Sequence, residues 1–201
     1  MLKPWVILVV LGGVAHADGP TARFGLTGAM VDQSSPDGWV QAGPHFAVGE
    51  RLGAFVGEIE YAYLGFFGAN IDHRLGVTVR ADLSRTYSGV CDLAYACTRG
   101  TSFFGEAGVA ERFGHLTIDA QHLEPVTHNK PEAHVGFGIE LENQLSPRRN
   151  GWQFGVRFAI SPSDTVAGVA CRGAGCTPTT SVNPRAIDTS VMFDWMYVIG
   201  R

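Results

Sequence analysis

The stretch IDHRLGVTVRADL, residues 71–83, alternates side-chain chemistry almost without error. One parity carries Ile71, His73, Leu75, Val77, Val79, Ala81 and Leu83, and the other carries Asp72, Arg74, Gly76, Thr78, Arg80 and Asp82. Successive side chains of a β-strand point to opposite faces, so this is a strand with an oily face and a charged face. Two closed architectures accommodate it. A soluble barrel turns the oily face into its core, whereas a membrane barrel turns it toward lipid and encloses the charged face.

The same alternation recurs along the chain, and a helical period does not. At 22–31, Phe24, Leu26 and Met30 oppose Arg23, Gly25 and Thr27; at 39–48, Val40, Ala42, Phe46 and Val48 oppose Gln41, Gly43 and His45. A tight connection at Gly49 and Glu50 leads to a third strand, 52–64, with Phe55, Ile59, Tyr61 and Tyr63 against Val56, Glu58 and Glu60. After the strand at 71–83, a loop at 84–100 precedes a fifth strand beginning near Ser102, where Phe103, Ala107 and Val109 oppose Glu106, Gly108 and Ala110. Beyond Phe113 the phase slips, because Leu116 and Ile118 take the other parity; a β-bulge, exit from the membrane, or a separate short strand would each explain it. Strict alternation returns at 132–143, and a turn at 146–151 separates it from a strand opening at Trp152. A long loop, 161–185, precedes the last strand at 187–199. The preferred count is eight strands joined as a meander, an all-β, antiparallel up-and-down β-barrel.

The N-terminus has a basic start at Lys3, an apolar run from Trp5 to Leu11, and small residues at Ala15 and Ala17, the layout of a secretory signal peptide with cleavage expected after Ala17. Residues 1–17 are therefore assigned to a signal peptide and 18–201 to one barrel domain. The run is too short for a retained anchor, which needs about 20 apolar residues. A formal charge of −4 gives no electrostatic footprint for nucleic acid. The cysteines form two close pairs, Cys91 with Cys97 and Cys171 with Cys176. In an oxidising compartment each pair is expected to form a local disulfide. Neither has the spacing of a zinc site.

The composition of the polar face indicates which side is inside. Gly25, Gly43, Gly76, Gly108, Gly136, Gly138 and Gly155 all lie on it. Glycine gains little by facing open water, but inside a narrow barrel it makes room for long neighbours. The acids Glu58, Glu60, Asp72, Asp82, Glu106, Glu140, Glu142 and Asp194 share that face with Arg23, Arg74, Arg80, Arg112 and Arg157. All five cations are arginine, which forms planar multidentate pairs. An ion-paired lumen built on Glu58, Glu60, Arg74, Arg80, Glu106, Arg112, Glu140, Glu142, Arg157 and Asp194 is expected. The opposite face, with Phe55, Tyr61, Val77, Phe137, Phe154, Phe193 and Trp195, is expected to meet lipid.

On this pattern the sequence resembles the small outer-membrane β-barrel superfamily, in the manner of the eight-stranded transmembrane domain of outer-membrane protein A. The resemblance spans the expected mature chain and lies in pattern, without a specific motif. It implies a transmembrane barrel in a Gram-negative outer membrane, outer-membrane lipid and the barrel-assembly machinery as partners, and a filled interior. The chain departs from the family in ending on Gly200 and Arg201 after Trp195 and Tyr197 instead of on an aromatic residue. With both termini periplasmic, the loop at 84–100 is also longer than a periplasmic turn should be.

No nucleophile elbow, phosphate loop, dinucleotide fingerprint or zinc-protease motif occurs in the sequence. His115, Asp119, His122, Glu124 and His128 gather in one polar connection, but their spacing matches no standard metal site. The paired carboxylates could do acid–base work, though arginines on the same face favour a structural role. No catalytic residue, metal or cofactor is assigned, and the expected role is structural or surface-interacting. The alternatives are a secreted soluble barrel binding a hydrophobic ligand, like a lipocalin, and a lipid-modifying enzyme on a barrel scaffold.

Overall fold

Gly53 takes a φ of 61° and, with Ala54, makes the two-residue connection between paired Leu52 and Phe55. A positive φ is what a tight hairpin asks of glycine. The turn therefore falls here, and not at Gly49 and Glu50, which are register-paired strand residues opposite Glu58 and Gly57. The computed structural model describes residues 19–32, 39–65, 71–88, 97–116, 126–145, 148–162, 166–172, 175–181 and 187–200.

The strands are β1 (Gly19–Asp32), β2 (Trp39–Leu52), β3 (Phe55–Leu64), β4 (Ile71–Ser88), β5 (Cys97–Leu116), β6 (Val126–Leu145), β7 (Arg148–Pro162), β8 (Val166–Arg172), β9 (Gly175–Ser181) and β10 (Ile187–Gly200). Eight of them close into an antiparallel barrel in the order β1-β10-β7-β6-β5-β4-β3-β2. Closure through β1 and β10 leaves the barrel no free edge, which a strand in hydrocarbon could not tolerate. Partner by partner, Thr101 leads through Leu141, Trp152, Tyr197, Phe24, Phe46, Tyr61 and Leu75 to Glu111, ten residues further along β5. Such stagger goes with strands tilted roughly 35–45° to the barrel axis.

Further expectations change. There is no irregularity near Phe113: β5 pairs with β4 and β6 without a break from Gly105 to His115. The register shift lies between Asp82 and Ser84 on β4, so Leu83 is the bulged residue. Leu83 and Ser84 both point outward, and Arg85 turns in. Second, the 84–100 loop contracts, because β4 runs to Ser88 and β5 starts at Cys97; residues 89–96, with Cys91, lie outside the described residues. Similarly β7 begins at Arg148, inside the expected turn. Third, the 161–185 loop contains β8 and β9, a hairpin forming a sheet of its own with Cys171 opposite Cys176.

Burial is inverted relative to a soluble protein. The largest fully buried side chains include Arg23, Arg74, Arg80 and Arg157, while Phe55, Phe137, Phe193 and Trp195 are each at least half exposed. Several glycines on the inner face sit where a side chain would collide: a Cβ on Gly108 would lie 2.5 Å from the His134 ring, and one on Gly136 would lie 2.9 Å from Glu106.

Candidate functional site

The interior is a stack of ion-paired layers linking strands remote in sequence. Glu60 from β3 is the hub. It accepts from Arg74 of β4 and, at 2.7 Å, from Arg157 of β7, and its Oε2 lies 3.5 Å from His45 Nε2 of β2. Arg157 also contacts Glu106 at 2.5 Å and Asp194 at 2.8 Å, and Asp194 meets His45 Nδ1 at 3.0 Å. Arg74 donates to Glu132 at 2.6 Å and to His134 Nδ1 at 2.7 Å. An arginine can only donate, so His134 carries its proton on Nε2, where it faces Thr78 Oγ1 at 3.1 Å.

Toward the end that carries Gly19 and Gly200, Arg23 pairs with Glu58, and Gln153 Oε1 accepts from both Arg23 (2.9 Å) and Arg80 (2.6 Å). Arg80 reaches Glu140 at 3.0 Å and lies over the Phe104 ring, 5.1 Å from its centroid. Below this layer Asp82 receives Arg51 (2.6 Å) and Arg85 (2.5 Å), and Arg85 lies 3.4 Å from Glu142. At the opposite end Arg112 binds Asp72, Gln41 donates to Asp72 at 2.8 Å, and Lys130 donates to Asp188 at 2.9 Å.

Glu58, Glu60, Arg74, Arg80, Glu106, Arg112, Glu140, Glu142, Arg157 and Asp194 thus all lie buried inside the barrel. Among them Glu58 is paired with Arg23. Not every interior cation is arginine, since Lys130 is 3% exposed. Lys130 escaped sequence reasoning because the polar, proline-containing segment before residue 132 looked like loop, while Glu132 and Asp188 sit near the starts of the strands read at 132–143 and 187–199 and were not assigned to the inner face. Extending the alternation of 132–143 backward would have placed Lys130 on the inner face with Glu132. Phe104, 1% exposed, was also missed. Its signal was parity with Ser102 and Glu106, opposite Gly138 on β6 and Asp82 on β4.

On the outside, Phe55, Phe137, Phe154, Phe193 and Trp195 are exposed, and Tyr61 and Val77 are half-buried on the same face. Aromatic residues cluster toward both ends. At one, His73 stacks on Phe113 with ring centroids 5.3 Å apart and meets the Tyr61 hydroxyl at 2.8 Å. Toward the other, Trp152 packs against Trp195 and Tyr197 with centroids 5.6 and 5.0 Å apart. Paired aromatic girdles flanking an apolar band mark the two interfaces of a membrane barrel.

Of the histidine-rich connection, Asp119, His122 and Glu124 lie outside the described residues; His115 and His128 enter only by backbone position, at the ends of β5 and β6. Among the described residues no group of three or more His, Cys, Asp or Glu could hold a metal.

The fold and the inverted burial define an all-β, eight-stranded antiparallel barrel of the transmembrane class. The chain is similar to the crystal structure of Neisserial surface protein A (NspA), with a TM-score of 0.58 and 10% sequence identity over 91% of this chain and 97% of that one. That likeness extends to the fold alone. No protein-family model matches the sequence. A search of curated proteins by sequence finds no match.

Proposed function

We propose that this chain is an integral outer-membrane β-barrel of a Gram-negative cell, with a structural or surface-interaction role and no catalytic one. A cleaved leader exports it, and the barrel-assembly machinery inserts it. The observation that carries this reading is the inversion itself. Arg74, Arg80 and Arg157 are at most 1% exposed inside, while Phe137, Phe193 and Trp195 stand outward at 50% or more. A soluble lipocalin-like barrel would need an apolar interior for its ligand, and this interior is lined with arginine and carboxylate. The barrel serves as a rigid base, and the connections at the end opposite the termini, including β8–β9, form the variable contact surface.

The proposal extends to disulfides in those connections. Cys171 and Cys176 are register partners, and directly opposed residues of an antiparallel pair have Cα atoms about 4.5–5.5 Å apart, inside the range a disulfide spans. A closed loop this short contributes about 2–2.5 kcal/mol by chain entropy, so it staples the hairpin without determining the barrel. Alkylation of unreduced protein is expected to leave Cys171 and Cys176 unmodified.

The deciding experiment is electrophoresis of unboiled and boiled protein, with extraction in and out of detergent. The expected result is a heat-modifiable band and loss of monodispersity when detergent is removed. Protein that stays monomeric in plain buffer would overturn the membrane reading.

A further inference from the structure

Strands β8 and β9 pair only with each other, so their hairpin has two open edges, and among the described residues no backbone hydrogen bond reaches either edge from the barrel. An edge is a row of main-chain donors and acceptors available to another strand, and proteins ordinarily block it with proline or charge. The two edges differ in that respect. Pro178 stands in the middle of β9, whereas β8 reads Val-Ala-Gly-Val-Ala-Cys before its terminal Arg172, with neither proline nor charge in the run.

Pro178 also fixes which main-chain groups of β8 face the open side. Its register partner is Val169. In an antiparallel ladder, directly opposed residues alternately exchange both N–H···O bonds or neither. Proline has no N–H to exchange, so Val169 and Pro178 form a pair of the second kind, and both turn their main-chain groups away from the hairpin. By alternation Ala167, Val169 and Cys171 present N–H and C=O to the open side of β8. The open side of β9 lacks a donor at its centre. Cys171 and Cys176 fall in the same class of pair, the one with the closer Cα atoms, so the disulfide proposed above braces the ladder that carries the β8 edge.

We propose that the open edge of β8 pairs with β8 of a second copy of this chain, antiparallel and centred on Val169, so that two hairpins join into one sheet. The inference rests on the surface-contact reading above and names its partner. This register uses all 7 residues of β8. Ala167 of each copy meets Cys171 of the other and Val169 meets its counterpart, and these outward-facing positions exchange about six main-chain hydrogen bonds. The two Arg172 positions stand at opposite ends of the pairing, so no like charges are opposed. A charged partner segment would find no counter-charge along Val166–Cys171, whereas a second copy brings an equally uncharged run. With the β9 edge blocked, each hairpin has one receptive edge, and association stops at a two-fold pair instead of continuing as a fibre.

The test is light scattering of the full chain in mild detergent over a range of protein concentrations. The expected result is a monomer–dimer equilibrium. Val169→Pro removes the donor that faces the open edge and leaves the bonds within the hairpin in place; by symmetry two intermolecular bonds go, and the dimer dissociation constant should rise at least about tenfold. Val169→Lys and Val169→Asp, which set like charges directly opposite each other, should each be monomeric alone and should dimerise when mixed. Heat-modifiable migration reports that the barrel of each variant is folded, and alkylation of Cys171 and Cys176 unchanged from wild type reports that its hairpin is. A monomer at every concentration, or a dimer that Val169→Pro leaves as tight as before, would overturn the proposal. Lysine and aspartate variants that stay apart on mixing would overturn the register centred on Val169. Failure of the membrane reading is seen separately, as protein monomeric without detergent, whereas failure of the edge pairing leaves a heat-modifiable barrel that is monomeric in detergent.

Discussion

Gly138 and Gly155 are register partners on the same inner face, yet their surroundings differ sharply. A Cβ on Gly138 would lie 2.2 Å from the Phe154 carbonyl oxygen and 2.5 Å from Phe104 Cζ, whereas one on Gly155 would find nothing nearer than 3.7 Å. Backbone cannot yield as a flexible side chain can, so Gly138→Ala should lose about 1–3 kcal/mol, while Gly155→Ala should fall within about 0.5 kcal/mol of wild type. Urea unfolding in detergent or liposomes reads both, and equal effects would show that the inner glycines are not filled by neighbours as described. The same resolution applies to charge. Arg74 binds Glu60, while Glu58 is taken by Arg23. Arg74→Gln should cost about 3–5 kcal/mol, because it strands buried carboxylates. A double-mutant cycle of Arg74 with Glu60 should give a coupling of about 0.5–3 kcal/mol, and the cycle with Glu58 much less. The reverse ranking would mean that the interior is wired differently.

At the scale of the element, β4 shows what a sequence can and cannot disclose. Its alternation from Ile71 to Asp82 is visible because each parity has one chemistry, and the structure assigns the charged parity to the interior. The bulge is invisible because Leu83 is apolar where the pattern asks for an apolar residue; only Arg85, drawn inward to Asp82, reveals the change of phase. Hairpin β8–β9 was invisible for the opposite reason: its residues are mostly small, apolar on β8 (VAGVACR) and polar on β9 (GCTPTTS), so neither strand alternates in chemistry. The lumen was legible as a set of residues, but its pairings were not, since they follow barrel stagger, which joins Arg157 to Glu60 across the interior. Depth along β4 gives a direct test. Val77 and Ile71 share the outward face, Val77 well within the strand and Ile71 at its end. Val77→Arg should cost roughly 2–4 kcal/mol and Ile71→Arg roughly 0–1 kcal/mol, as arginine on a lipid face does at the midplane and the interface. Equal cost at the two positions, measured by unfolding in liposomes, would argue against a bilayer around this face.

For the whole molecule, closure and surface are separable. The β7–β10 ladder continues to the pair Pro162 and Ile187, so the barrel is already shut where the 163–186 connection begins. Within that connection β8 and β9 hydrogen-bond to each other and form a sheet apart from the barrel. A connection whose ends are held 5 Å or so apart by a ladder carries mainly a closure entropy, which changes by only about 0.6 kcal/mol per doubling of length. Replacing residues 163–186 by a short Asn-Gly turn should therefore leave the heat-modifiable shift intact and the unfolding free energy equal or higher by about 1–2 kcal/mol. Any binding to whole cells or surface partners that the intact protein shows should be lost with the hairpin while the barrel persists. If instead the shortened chain no longer closes, the hairpin takes part in folding the barrel, and the division between a rigid membrane base and a replaceable surface fails.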